Sequence, residues 1–343
     1  MSSDSWELLS NQAVAACAVV YFLAVLAHLW EWALMRRATP VSAVSIAQPV
    51  VAAGVGGGLP IGQSPSPLRG MASEEPPTNT SGSEGSEGSE AEDRERADLF
   101  GRIGVALTVV AVAVHVVAMV ARGMAAGRVP WGNMYEFTLT ATCFVGIGYL
   151  VFYKRFKLAW LGPIVTSFIL ITLMADVLLL FEGVVPLRDA LDSPWLVIHV
   201  VAAIIATGAF TLGGMASAMY LVKDRWPNTR PGGYLSRLPN LEGLDRVAYR
   251  TQAFAFPIWT FAALIAGPIW ADHAWGRYWN WDPKEVWAFI TWVVYAAYLH
   301  ARVTAGWRGR SAAILALIGL ATLWFNFIGI NFFFGSGSMH SYA

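Results

Sequence analysis

Between positions 270 and 292 the chain places Trp270, Trp275, Trp279, Trp281, Trp287 and Trp292, six tryptophans in 23 residues, with Tyr278 among them. Gly276, Asn280, Asp282 and Pro283 are interleaved. Tryptophan favours the membrane–water interface, so a belt of rings at helix ends accounts for two or three of the six. A belt does not account for a loop whose glycine, asparagine, aspartate and proline bend the backbone. Rings carried on such a loop form a flat apolar platform for a planar aromatic ligand. Histidines supply the second chemistry. His199 follows Ser193-Pro194-Trp195 near one end of an apolar run, and His340 lies just past another. Imidazole is a standard axial ligand of haem iron, and two histidines from separate segments beside one aromatic loop can clasp a porphyrin. The alternative for each is an interfacial hydrogen bonder, and spacing alone leaves both readings open.

The remaining polar candidates are more scattered. His300 lies 14 residues past Val286, about 21 Å along a helix axis, and so toward the far side of its span. Ionisable groups within a membrane are expensive and usually functional, although neutral imidazole is the cheapest of them. His115 sits inside an apolar run, as a ligand or a helix-packing hydrogen bonder. His28, among Trp30, Glu31 and Trp32, reads as an interfacial anchor, and His273 as a solvated loop residue. Trp131-Gly132-Asn133 turns the chain into another apolar run, with Glu136 at the membrane edge. Asp176 lies in an apolar run with no role that the sequence assigns. Cys17 and Cys143 both sit in apolar surroundings without any Cys-x-x-Cys. A disulfide framework, a zinc site and a thioredoxin-like redox role are thereby set aside, and both thiols read as small buried hydrophobes.

The elements that carry these residues are membrane helices. Hydrophobic residues make up 56% of the 343 positions and charged ones 13%, against about a quarter charged in soluble domains. About 20 apolar residues cross the hydrocarbon core, and eight runs qualify: 13–35, 100–122, 134–153, 158–181, 195–222, 250–271, 286–305 and 311–334. The first lacks a basic flank before it, since Asp4 and Glu7 precede it, so it reads as a retained span rather than a signal peptide. With the N-terminus outside, 18 of the 23 basic residues fall in inner segments and 5 in outer ones, as the positive-inside rule requires. The expected fold is an all-α polytopic membrane protein of about eight transmembrane helices with both termini extracytoplasmic. Three regions follow: a first transmembrane helix at 1–35, a disordered cytoplasmic linker at 36–98 rich in Pro, Gly and Ser, and a membrane domain at 99–343 with an extracytoplasmic loop at 272–287. A second inner loop, 223–249, reads as a surface-lying connector, with LEGLDRVAY in it able to form a short interfacial helix. The formal net charge is zero, which leaves no electrostatic case for nucleic acid.

The run WGRYWNWDPKEVWAFITW closely resembles the tryptophan-rich WWD signature of the haem-handling superfamily. WGNMYEF, SPWLVIHV and the terminal MHSYA resemble its CcsA or ResC branch, called CcsB in actinobacteria, of system II cytochrome c biogenesis. The similarity covers roughly residues 100–343, and the 36–98 insertion departs from the family's core pattern. The resemblance implies a plasma-membrane protein that presents haem b to apocytochrome c, working with a ResB-type membrane protein. A thioredoxin-like thiol-reducing protein is an additional implied partner. Together they would constitute a holocytochrome c synthetase, or haem lyase, joining haem vinyl groups to the thiols of Cys-x-x-Cys-His. The resemblance also implies the site. His199 and His340 would ligate an exposed haem iron, against Trp275, Trp279, Trp281, Asp282 and Trp287. His300 would ligate a membrane-embedded haem opposite a partner histidine. Arg188, Arg277 and Lys284 would neutralise propionates, with His115 and Glu136 as further candidates. No side chain is assigned as a nucleophile, because the substrate protein supplies the thiols and the chain supplies position. Two rivals stand beside this reading. A respiratory haem subunit would pair histidines on one helix, whereas each histidine-bearing span here carries one. A cofactor-free transporter would use the tryptophans to stack its substrate. A topology reporter fused after Ala343 is expected to be active only in the outer compartment, and a cytoplasmic signal from it would refute the eight-span, both-ends-out arrangement.

Overall fold

In hydrocarbon every backbone amide must find its partner within its own segment, so a chain this apolar resolves into helices. The computed structural model describes residues 2–37, 84–186, 191–226, 234–334 and 338–340. Among these residues there is no strand, and eight helices are long and apolar enough to cross a membrane. They are α1 (Ser3–Arg37), α2 (Glu84–Ala126), α3 (Met134–Tyr153), α4 (Leu158–Leu180), α5 (Pro194–Arg225), α6 (Leu241–Trp275), α7 (Pro283–Val303) and α8 (Arg310–Phe333). The protein is therefore a multi-pass membrane protein, and its spans fall where hydropathy placed them.

Two boundaries differ from the sequence expectation. The linker expected over 36–98 is shorter, because α2 starts at Glu84; positions 38–83 lie outside the described residues. The charged stretch before the apolar run extends that helix, with Arg96 Nη2 3.5 Å from Glu92 Oε2 one turn away, the spacing at which opposite charges support a helix. Likewise Leu241–Tyr249, expected as part of a connector, forms the first turns of α6. Asn240 caps it by accepting from the Gly243 amide at 2.9 Å, and Asp245 receives a two-pronged hydrogen bond from Arg302 of α7.

The helices pack as two groups meeting on α5. α1 lies along α2 through small buried residues, among them Ala13, Ala18, Ala111 and Ala118, which let backbones approach where no hydrophobic gain separates helix from lipid. Polar side chains tie this group together. Ser10 Oγ donates to the Ala118 carbonyl at 2.9 Å, and buried His115 joins three helices, its Nε2 3.0 Å from the Leu139 carbonyl and its Nδ1 3.4 Å from the Tyr21 hydroxyl. Both His115 nitrogens thus face protein groups, so its place is in helix packing. α5 contacts α3, α6 and α8, and Phe210 on α5 stacks on Tyr295 of α7 at 3.7 Å between centroids. Three helices carry a π-helical turn: α4 at Asp176–Leu180, α6 at Ala262–Ala266 and α8 at Phe325–Gly329.

His28, expected as an interfacial anchor, is 1% exposed and wedged between Gly104 of α2 and Gly162 of α4. A Cβ at Gly104 would stand 2.7 Å from the imidazole. Gly104→Val is therefore expected to force α1 and α2 apart and to lower stability by about 1–3 kcal/mol, the usual range for overpacking. Thermal unfolding of the detergent-solubilised protein checks this, and an unchanged midpoint would contradict the packing.

Candidate functional site

At one end of the bundle α3, α5, α6, α7 and α8 enclose an apolar cavity of about 210 Å³. His199 and His340 both border it. Along α5 its wall runs from Leu196 to Thr207, eleven residues or about 16.5 Å at the helical rise. The lining is aromatic and aliphatic, including Trp131, Trp259, Trp270, Trp279 and Trp324, with Lys284 among the few charged groups.

Each histidine is oriented by a protein oxygen. His199 Nδ1 lies 2.9 Å from the carbonyl of Ala262, in the π-helical turn of α6. A carbonyl only accepts, so Nδ1 carries the proton, and the neutral ring keeps its lone pair on Nε2. Gly267 permits the approach, since a Cβ there would be 3.1 Å from the imidazole. His340 Nδ1 stands 3.1 Å from Asp282 Oδ1, off the line of a good hydrogen bond but in ion-pair range. A carboxylate facing Nδ1 selects the same tautomer. Between the histidines sits Trp270, 2% exposed: its ring lies near-parallel to His199 at 6.0 Å and edge-on to His340 at 5.4 Å. Trp275 closes the corner, 4.9 Å from Trp270 and 4.6 Å from His340.

Asp282 holds the far side of this corner in place. As the N-cap of α7 it accepts from the Lys284 amide at 2.9 Å, and Glu285 completes a capping box with it. Glu285 Oε2 also accepts from the Asn280 and Asp282 amides, fixing the loop. The same Asp282 carboxylate accepts from Ser338 Oγ at 2.8 Å and from the Met339 amide at 2.6 Å. It thereby fastens the segment bearing His340 to the tryptophan loop. Burial alone would raise this carboxyl, but its contacts with His340 and Ser338 outweigh burial and hold it down at about 2.

The other expected site residues are dispersed. Of the loop tryptophans, Trp279 lines the cavity and Trp275 touches His340. Trp281 is 74% exposed with a φ of +57°, and Trp287 packs on Phe325 of α8. A left-handed backbone at a large residue is rare and marks a constrained loop. Arg277 is exposed beside Asn280, and His273 is exposed with its Nδ1 2.8 Å from the Ile269 carbonyl. Arg188 lies outside the described residues. His300 is on the exposed face of α7, apart from the cavity. Glu136 is fully buried and does not line the cavity. It receives Arg122, Arg128 and the Gly132 amide. Gly132 stands between Trp131 and Asn133, which do line it. The sequence reading had not placed Trp131, Trp259 or Trp324 in the site; a tryptophan at a helix end looks alike whether it faces lipid or a cavity.

The arrangement suits a planar apolar ligand with a metal centre: two imidazoles with bare Nε2 atoms, aromatic walls, and a lysine for a peripheral acid group. Residues 131–336 match the family described as Cytochrome C assembly protein. The chain is 37% identical over 262 residues to a cytochrome c biogenesis protein CcsA of Guillardia theta, covering 70% of this chain and 85% of that one. It is 32% identical over 304 residues to its namesake in Synechococcus sp. (strain JA-3-3Ab), covering 71% and 85%. The namesake of Porphyra purpurea is 32% identical over 261 residues, covering 65% and 81%.

Asp282→Ala should remove the helix cap, at about 1 kcal/mol, and free residues 338–340. Hydrogen exchange at the Met339 amide should quicken while the middle of α7 stays protected. In the unmutated protein the tie depends on ionised Asp282, whose folded value is depressed. Its stabilisation is therefore whole above 3.8 and is lost as pH falls from 3.8 to about 2. Unaltered Met339 exchange in the variant would remove Asp282 as the tie.

Proposed function

The chain belongs to the cytochrome c assembly protein family and acts in cytochrome c maturation, and from that premise we propose that it presents haem b to apocytochrome c at the outer face of the plasma membrane, as part of a system II synthetase with a ResB-type partner. The observation supporting this most is the pairing of His199 with His340, from α5 and from the segment after α8, on one apolar cavity with each Nδ1 turned to a protein oxygen. When bound there, haem supplies an iron that takes two axial nitrogens and vinyl groups that accept thiols.

The roles of the protein groups follow from their chemistry. His199 and His340 would hold the haem iron through their Nε2 atoms and so limit the access of dioxygen to it. Trp270, Trp279 and Trp275 hold and shield the macrocycle, and Lys284 with Arg277 meets its propionates. Asp282 positions His340. Thioether formation adds each thiol S–H across a vinyl C=C. One S–C and one C–H bond form, and nothing leaves. The chain's contribution is position rather than acid or base chemistry, so it is the presenting component of a haem lyase. His300, exposed on α7, ligates a second, membrane-embedded haem jointly with a partner histidine. Residues 99–343 form the haem-handling unit in this scheme, with 1–35 as an added first helix joined through a cytoplasmic linker.

Replacing His199 or His340 by Ala should lower covalent haem on a reporter cytochrome c roughly tenfold or more, a scale typical of a disturbed metal ligand set. Exogenous imidazole should restore part of it by filling the vacant axial position. Trp279→Ala removes apolar surface worth about 1–3 kcal/mol and should not respond to imidazole. Imidazole rescue of the tryptophan variant with none for either histidine variant would sink the proposed ligation.

A further inference from the structure

A second buried polar cluster lies at the cavity end of the bundle, across α3 from the cavity itself. Its centre is Arg122 of α2, fully buried, with all three guanidinium nitrogens engaged. Nε donates to Glu136 Oε1 at 3.2 Å, Nη1 to Glu7 Oε1 at 3.4 Å, and Nη2 to the Glu182 carbonyl at 2.5 Å. Arg128 adds a second cation, donating to Glu136 Oε2 at 2.6 Å and to the Val185 carbonyl at 3.2 Å. Two arginines thus face two glutamates, and the cluster is neutral.

Asp176 is the group this balance leaves out. It opens the π-helical turn of α4, which packs against α3, and it is 0% exposed. Neither of its carboxyl oxygens has a hydrogen bond of good geometry; the Thr138 hydroxyl stands close enough to act on it but is not aligned to donate. The charged or titratable groups acting on this locality are Arg122 from α2, Tyr135 and Glu136 from α3, and Glu7 from α1. An ionised carboxylate without a partner in a membrane interior is strongly disfavoured. Among the described residues the one cation acting on it, Arg122, is already shared between two other carboxylates and a carbonyl. Irregular turns in membrane helices occur where they line a site or a cavity.

We propose that Asp176 is a proton-binding site, neutral at rest because Glu136 and Glu7 occupy Arg122, and that its ionisation would draw Arg122 away from Glu136. The consequence reaches the cavity. Glu136 Oε2 holds the Gly132 amide at 2.8 Å, and the neighbours of Gly132, Trp131 and Asn133, line the cavity. Arg122 and Arg128 also hold the carbonyls of the segment that follows the π turn. A proton on Asp176 therefore sets the clamp between α2, α3 and the end of α4, and with it the placement of one cavity wall.

Infrared difference spectroscopy on the full chain in detergent at neutral pH tests this. The spectrum of unmutated protein minus that of Asp176→Asn should contain a protonated-carboxyl C=O band that shifts down in D₂O. Asn is close to the neutral acid in shape, so this variant keeps the fold. In Glu136→Gln, checked for native helicity, Arg122 is released to Asp176, and the band should vanish as Asp176 ionises. If Glu136→Gln does not fold, Glu7→Gln releases Nη1 of the same guanidinium and should weaken the band instead. A flat difference spectrum between unmutated protein and Asp176→Asn would overturn the proton site. A band that survives undiminished in the glutamate variant would overturn the competition for Arg122.

Discussion

The Asp282 carboxylate is the contact on which the site depends. It begins α7, receives Ser338 and the Met339 amide, and faces His340 Nδ1. One buried charge thus fixes where a helix starts, how the tryptophan loop folds back, and where a distant histidine stands. A carboxylate suits this because it offers about four lone-pair directions and no donor. Amides and a hydroxyl donate to it, and an imidazole stands beside it at ion-pair distance. An amide in its place would turn a donor toward one of them. The surrounding apolar wall makes each of these bonds count for more, since the alternative partner, water, is largely excluded.

A bundle in lipid gains little from burying apolar side chains, so its specificity comes from polar groups and close backbone approach. That accounts for the distribution of irregular backbone here. Two of the three π-helical turns, those of α6 and α8, border the cavity. A π turn re-spaces the carbonyl ladder, and in α6 it presents the Ala262 oxygen to His199 while the same oxygen keeps the Gly267 amide. In α8, Asn331 donates to the Phe327 carbonyl at 2.6 Å and to the Met134 sulfur at 2.9 Å, joining the irregular turn to α3. The backbone departs from regularity where a side chain is there to take up the freed group.

Hydropathy made the spans legible because membrane thickness sets their length and nothing else in the chain imitates 20 apolar residues. His199 and His340 were legible because their position along the chain places them at the end of the bundle that carries the tryptophans. What each tryptophan touches was not legible. Trp270 and Trp287 both stand near helix ends in the same stretch, yet one lies between the two histidines and the other packs on Phe325. The difference is one of rotation about a helix axis, set by which neighbours pack, and periodicity is too weak in helices apolar on every side to reveal it. Asp282 was legible as part of a motif, but its tie to Ser338 and Met339 spans more than 50 residues of sequence. His115 and His28 were ambiguous for a related reason. A buried histidine becomes a packing group only through partners on other helices, as Leu139 and Tyr21 are for His115.

The site is better described as a corner than as a platform. A flat loop of rings would leave the imidazoles free to choose either nitrogen and either face. Here an acceptor fixes each Nδ1, and contact with Trp270 restricts rotation of both rings. Rotating His199 by half a turn would bring a carbon against the Ala262 carbonyl and leave the polar Nδ1–H facing an apolar wall. The flip loses the single Nδ1–H to Ala262 bond and leaves that donor unmade in a poorly hydrated space, at a cost of about 1–3 kcal/mol. The two nitrogens that remain bare are therefore oriented before any ligand arrives, so binding need not supply the ordering that a flexible pair would require. Trp279 and exposed Trp281, edge to face at 5.9 Å, then lie outside this corner. Trp279 still lines the cavity while Trp281 is 74% exposed, so the two rings lead from the buried corner to the surface.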